Sequence, residues 1–311
     1  MPKQIQLILN ISELGAGTRG ASLGPQAILS VARGMKSDFF YKNPYSFIPL
    51  MNTYLDSPTR FPYAKYIDGI ANVFDALCEE IPHVIQKGKI PFILAGDHAS
   101  AGGTIAGLKA AYPDKRIGVI WVDAHGDLHT PYTTPSGNVH GMPLATALGV
   151  DNLECQRNHP DEETIQLWNR IKSSAILPED LIFVGVRDTE TEEDQLMERL
   201  KIRNITVNEY RELGINAVMD IINERLQNCD VIYVSFDVDS MDPEFTSLGT
   251  GTPVPGGLHP EEALLLLSKC VKMPKFAAFE IVEVNPCLDD KKNRMAEVAF
   301  GIIDKLVQDI Q

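Results

Sequence analysis

Aspartates and histidines stand directly behind apolar runs at three distant points of the chain. These are Ala95-Gly96-Asp97-His98, Val122-Asp123-Ala124-His125-Gly126-Asp127 and Phe236-Asp237-Val238-Asp239-Ser240-Met241-Asp242-Pro243. A carboxylate at the end of a buried strand is costly unless a cation or a hydrogen-bond network meets it. Asp123, His125 and Asp127 alternate along the chain, as do Asp237 and Asp239, so extended backbone would keep each set on one side. Oxygen and imidazole donors without a thiolate suit Mn²⁺ or a similar first-row ion better than a structural zinc. One cation would offset this much acidity poorly; two divalent cations would offset it naturally. The chemistry to expect is hydrolysis at a binuclear centre, where coordination makes water nucleophilic near neutral pH. Asp242, ahead of Pro243, reads as a turn former, and Asp97 as a supporting or helix-capping carboxylate.

The elements that must position these groups alternate in type. Strand candidates lie at 5–9, 91–94, 117–122, 181–186, 231–236 and 276–282, nearly continuous in apolar character, as strands buried on both faces should be. Helical patterns fill 67–86, 99–111, 215–227, 261–272 and 289–311; the last sets Val298, Ile302, Leu306 and Ile310 on one stripe. The pattern predicts an α/β fold, a three-layer α/β/α sandwich around a mostly parallel sheet, with residues 1–311 as one domain. Sites in such sheets form outside the carboxyl ends of the strands. All three acidic clusters sit at such ends, which would turn three separate motifs into one site.

Composition narrows the partners. Apolar residues make up 44% and charged residues 23% of 311, ordinary for a globular enzyme. A formal charge of −14 opposes a nucleic-acid or anionic-membrane partner and favours a small cationic substrate. The five cysteines are scattered without paired spacing, which points to reduced thiols. The N-terminus shows no leader pattern, and no apolar stretch approaches the roughly 18 residues of a membrane span, so a cytoplasmic protein is expected. His83, His159 and His259 belong to no cluster. The glycine-rich runs at 15–20 and 249–257 lack the Lys-Ser/Thr of a phosphate loop and read as turns close to the site.

Asp123-Ala124-His125-Gly126-Asp127 and the run Ser235 to Pro243 resemble the signature motifs of the ureohydrolase family, the arginases and agmatinases. The similarity extends to Gly15-Ala16-Gly17-Thr18-Arg19-Gly20 with Gly24-Pro25, and to Glu283-Val284-Asn285-Pro286. The resemblance implies a sheet of about eight strands and two Mn²⁺ ions, with Co²⁺ or Ni²⁺ as alternatives. His98, Asp123, Asp127 and Asp237 would hold one ion, and His125, Asp123, Asp237 and Asp239 the other. Asp127 would also orient the nucleophile. The loop from Thr133 to Pro143 is most similar to that of arginases. By that likeness Thr134, Ser136 and Asn138, with His129, would receive an α-carboxylate, and His140 would relay a proton to the departing amine. Glu283 would meet the guanidinium, and Glu190 and Glu193 the α-amino group. The residues alone leave other readings open: turn chemistry for Ser136 and Asn138, a charged helix start around Glu190, and a strand-end carboxylate at Glu283.

The match departs from the family at several points. His129 stands where an asparagine is usual, Glu190 where an aspartate is usual, and Ala95 and Ala99 replace a glycine and a serine. The run 245–253 is one residue longer than usual. The leading expectation is hydrolysis of L-arginine to L-ornithine and urea, with agmatine or another guanidino compound as the alternative. A single-metal deacetylase and an inert metal-bound scaffold are the readings from other classes. The resemblance also implies a homo-oligomer, trimeric or hexameric.

Overall fold

The computed structural model describes residues 4–311; residues 1–3, part of the N-terminal stretch read above as carrying no leader, lie outside the described residues. The first half of the chain forms β1 (Gln4–Asn10), α1 (Gly24–Gly34), α2 (Phe39–Lys42), β2 (Tyr45–Phe47), α3 (Ile67–Gln86), β3 (Lys89–Ala95), α4 (Ser100–Ala111), β4 (Ile117–Val122) and α5 (Pro143–Leu148). The second half forms α6 (Glu162–Ile171), β5 (Leu181–Val184), α7 (Thr191–Leu200), β6 (Arg203–Ile205), α8 (Val207–Arg225), β7 (Val231–Asp237), α9 (Pro260–Cys270), β8 (Phe276–Val282) and α10 (Arg294–Ile310). The eight strands make one sheet in the order β2-β1-β3-β8-β7-β4-β5-β6. Every described pairing is parallel.

Because side chains alternate across a strand, each central strand feeds two cores. In β3, Phe92 and Leu94 join one core and Ile93 and Ala95 the other; in β4, Ile120 and Val122 oppose Val119 and Trp121. Helices α1, α8, α9 and α10 cover the first face, and α3 to α7 the second. This is the expected three-layer α/β/α sandwich. No helix among the described residues is long and apolar enough to cross a membrane.

Helices α1, α2, α5, α6 and α7 were not expected, and the other differences from the expected elements are local. The strands β2 and β6 were not expected; each has three residues and sits at a sheet edge. The strand expected over 181–186 stops at Val184, where Gly185 turns to φ 95°. Helix α8 begins at Val207 rather than 215, capped by Thr206, whose side chain accepts from Glu209 N, and it kinks at Gly214. Helix α10 begins at Arg294, after the turn that holds Asp289.

The strands β3, β8, β7 and β4 lie side by side, and their carboxyl ends carry the acidic clusters. Gly96 shows how tightly they meet: a Cβ there would stand 2.1 Å from the Ser12 carbonyl oxygen. Only glycine lets the β1 and β3 ends approach so closely.

Candidate metal centre and pocket

His98 follows β3, and Asp123, His125 and Asp127 follow β4. Asp237 ends β7, with Asp239 in the turn beyond it. The His98 ring stacks on Trp121, with centroids 4.1 Å apart and planes 4° from parallel. Its Nε2 meets Ser235 Oγ at 2.7 Å. With Nε2 donating there, the Nδ1 lone pair faces the cluster, the arrangement a metal-binding histidine needs.

Three carboxylates converge on that nitrogen. Asp123 Oδ2 and Asp237 Oδ2 stand 3.1 Å from Nδ1, and Asp127 Oδ2 stands 3.2 Å away. Yet Nδ1 and Asp123 Oδ2 are buried with no hydrogen-bond partner among the described residues. Buried donor atoms that crowd one point without bonding each other fit a cation between them. A second group shares Asp123: His125 Nδ1 lies 3.1 Å from Asp239 Oδ2 and 3.5 Å from Asp123 Oδ1. The potential ligand atoms of His98, Asp123 and Asp237 lie within 4.8 Å of one another, as do those of Asp123, His125 and Asp239. The donor set thus fits two cations, with Asp123 common to both.

The carboxylates are also fixed from behind. Asp123 Oδ1 accepts from His125 N at 2.7 Å, Asp237 Oδ1 from Asp239 N at 2.8 Å, and Asp239 Oδ1 from Ala124 N at 3.2 Å. Their mutual repulsion is severe. Burial, then the Asp239 and Asp123 charges, push the Asp237 carboxyl well above its ordinary range. Burial and Asp123 push Asp127 up to about 6. Asp123 goes the other way: burial opposes its charge, but His125 and His98 hold it below the usual range. Asp127 and Glu283 are also held at φ 51° and 66°, in the left-handed region. That conformation costs a non-glycine residue on the order of 1–3 kcal/mol and persists where the surroundings dictate it.

Over the cluster opens a cavity of 280 Å³. It joins His125, Asp127, Asp237 and Asp239 to the loop residues Thr134, Ser136, Asn138 and His140, and to His129, Glu190 and Glu193. Gly137 lets the loop turn back, since at φ 77° a Cβ there would stand 2.0 Å from the Pro62 carbonyl oxygen. Part of the loop's polarity serves its own turn: Thr134 Oγ1 accepts from Gly137 N at 2.9 Å, and Ser136 Oγ from Asn138 N at 3.1 Å. Glu283 is not on the cavity wall. Its Oε1 accepts from His98 N at 2.9 Å and lies 3.2 Å from His140 Nδ1. Burial draws the His140 pKa down, but the bonded Glu283 outweighs it and the net shift is upward.

The far wall departs from simple expectation. His129 Nε2 meets Glu190 Oε2 at 3.0 Å, and its Nδ1 meets Thr133 Oγ1 at 3.1 Å. Glu190 and Glu193 form a capping box at the head of α7, so the charged helix start considered for them is present. Burial pushes Glu193 up to about 8.

Several groups at the site escaped the sequence reading. Asp188 and Thr252 line the cavity, and Thr252 Oγ1 donates to Asp239 Oδ2 at 3.1 Å. Asp97, by contrast, has the supporting role expected of it, accepting from Ala99 N at 2.8 Å and Gly15 N at 2.9 Å. Arg187, just ahead of Glu190, reaches the carbonyls of Gly185, Asp239, Ser240, Val254 and Pro255. A guanidinium has five N–H donors, and this fork straps the β5 end to the loop after β7. Arg187→Met is therefore expected to destabilise the fold by about 3 kcal/mol, read as a lower urea midpoint at unchanged slope. An unchanged midpoint would mean that the strap carries no stability.

Comparison with known proteins agrees with this geometry. Residues 6–308 match the Arginase family. An arginase of Entamoeba histolytica is 40% identical over 229 residues, 73% of each chain. An arginase of Brevibacillus brevis is 33% identical, with 99% of each chain covered. The solved structure of the Entamoeba histolytica arginase in complex with L-ornithine superposes with a TM-score of 0.83 at 30% identity, covering 98% of this chain and 99% of that one. These likenesses set aside the single-metal deacetylase and the inert scaffold. With its parallel eight-stranded sheet and its paired carboxylate–histidine groups, the chain belongs to the arginase family and is an amidinohydrolase.

Proposed function

We propose that the protein hydrolyses L-arginine to L-ornithine and urea with two Mn²⁺ ions. His98, Asp123, Asp127 and Asp237 would hold one ion, and His125, Asp123, Asp237 and Asp239 the other; Co²⁺ or Ni²⁺ suits the same donors. The observation that carries this reading is the unbonded convergence of His98 Nδ1 and three aspartates beneath the cavity. Bound there, the ions supply the Lewis acidity that brings water close to ionisation at neutral pH, which a resonance-stabilised guanidinium requires of its nucleophile.

The chain's own groups do the rest. Asp127, on the cavity wall, accepts a hydrogen bond from the attacking water and aims it at the guanidinium carbon. Glu283 contributes negative charge beside His140 and fixes that ring through Nδ1, leaving Nε2 for the substrate. As the C–N bond breaks, the departing amine keeps the electron pair and takes a proton from His140. Ser136 and Asn138, with Thr134 and His129, receive the α-carboxylate, and Glu190 and Glu193 the α-ammonium. The arginases among the relatives do not favour the agmatine alternative. The same reading takes residues 1–311 as one domain, in a trimer or hexamer in the cytoplasm.

The test is to load the protein with Mn²⁺ and measure product from L-arginine and agmatine side by side. A site that hydrogen-bonds a carboxylate discriminates strongly against its absence, so kcat/KM for L-arginine is expected to exceed that for agmatine by at least about 10²-fold. Preference for agmatine would assign the 133–143 loop to another task.

A further inference from the structure

Lys65 stands just ahead of α3 and is half-buried against the 133–143 loop. Its backbone N donates to the Gly137 carbonyl at 2.8 Å, and its Nζ donates to Asn138 Oδ1 at 3.2 Å. No carboxylate among the described residues lies within ion-pair distance of Nζ, so nothing neutralises this charge locally.

An ammonium can only donate, so the oxygen of the Asn138 amide must be the atom that faces it. That choice turns Nδ2 to the opposite side, where a Cβ on Gly17 would stand 2.6 Å away. Gly17 therefore leaves the amide its room, and Asn138 lies on the cavity wall. Beyond the proposed metal donors, Asp188, Glu190 and Glu193 stand on that wall, and no lysine or arginine among the described residues lines it. A cationic guanidinium is welcome in such a cavity, whereas a carboxylate would be repelled. A cation behind Asn138 offsets that repulsion. It also polarises the amide, making Nδ2 a stronger donor.

We propose that Lys65 is a specificity-determining positioning residue, which orients and charges the Asn138 amide so that the pocket accepts a substrate bearing a carboxylate. The proposal rests on the arginine reading above. An amine such as agmatine has nothing for this amide to bind and gains nothing from the lysine.

The experiment uses the full chain loaded with Mn²⁺, as wild type, Lys65→Met and Lys65→Arg. Ornithine formation gives kcat and KM for L-arginine, and agmatine is added as a competitor to obtain its inhibition constant. Lys65→Met is expected to raise KM for L-arginine about tenfold, leave kcat within about twofold, and leave the agmatine constant unchanged. Lys65→Arg, which keeps the charge and a donor, is expected to return KM to within about threefold of wild type. An unchanged KM in Lys65→Met overturns the assignment. So does an equal loss for L-arginine and agmatine, which would make Lys65 a mere clamp on the loop. If Lys65→Met does not fold, Lys65→Gln, which removes the charge but keeps a donor, decides: a raised KM for L-arginine with agmatine binding kept supports the assignment, and an unchanged KM or an equal loss of both overturns it. Wild type that neither binds nor cleaves L-arginine overturns the substrate reading, and this proposal with it.

Discussion

Asp237→Asn is expected to lower ornithine formation from L-arginine by about 10³-fold and to reduce the Mn²⁺ retained after dialysis. The side chain keeps its size, and one oxygen can still accept from Asp239 N, so the turn after β7 should survive. What disappears is one negative charge among the three carboxylates around His98 Nδ1. A metal centre contributes several kcal/mol of charge stabilisation, and each 1.36 kcal/mol is a factor of ten, hence the magnitude. Asp242→Asn is the control. It lies only five residues on, but its carboxylate caps a turn, accepting from Glu244 N and Gly256 N at 2.9 and 2.7 Å. Its activity should stay within about threefold of wild type. Metal content by mass spectrometry separates the two explanations of a loss: an inactive Asp237→Asn protein with full metal would show that Asp237 acts other than as a ligand.

What the sequence revealed of this site follows from geometry with a short period. Asp123, His125 and Asp127, like Asp237 and Asp239, sit at alternate positions behind apolar strands, and a buried strand end needs a reason to carry a charge. The fold was legible for the same reason: β3, β4, β7 and β8 are buried on both faces and read as continuous apolar runs. The strands β2 and β6 were not, because a three-residue edge strand needs apolar contact on few positions; Arg203-Asn204-Ile205 has a single buried residue. Helix α7, with Glu192, Glu193 and Asp194 in its first turn and buried positions at Glu193 and Leu196 alone, carries almost no apolar stripe.

Long-range pairings left no trace in any local pattern. His98 meets Ser235 across 137 residues, and His129 meets Glu190 across 61. Arg187 bonds only to backbone carbonyls, a role that side-chain identities around it cannot announce. His129 and Glu190, which the sequence presents as separate groups, face each other at 3.0 Å and are one contact in space, joining the loop after β4 to the head of α7.

The second large effect concerns the proton. His140→Asn is expected to lower kcat for L-arginine by about 10²–10³-fold while KM stays within about threefold, the size of effect general acid catalysis supplies. The reasoning starts from how the ring is held. His140 N donates to the Gly15 carbonyl at 3.2 Å, a bond asparagine retains. Its Nδ1 is occupied by Glu283, whose carboxylate is itself anchored by His98 N, so the ring is oriented from the metal side and only Nε2 is free to meet a substrate. The departing amine cannot leave as an anion, so without a donor the C–N bond must wait for solvent. Imidazole added to the assay should therefore restore part of kcat in His140→Asn and none in Asp237→Asn. A rise in KM with kcat preserved would instead make His140 a binding residue, and the proton would have to come from another group on the wall.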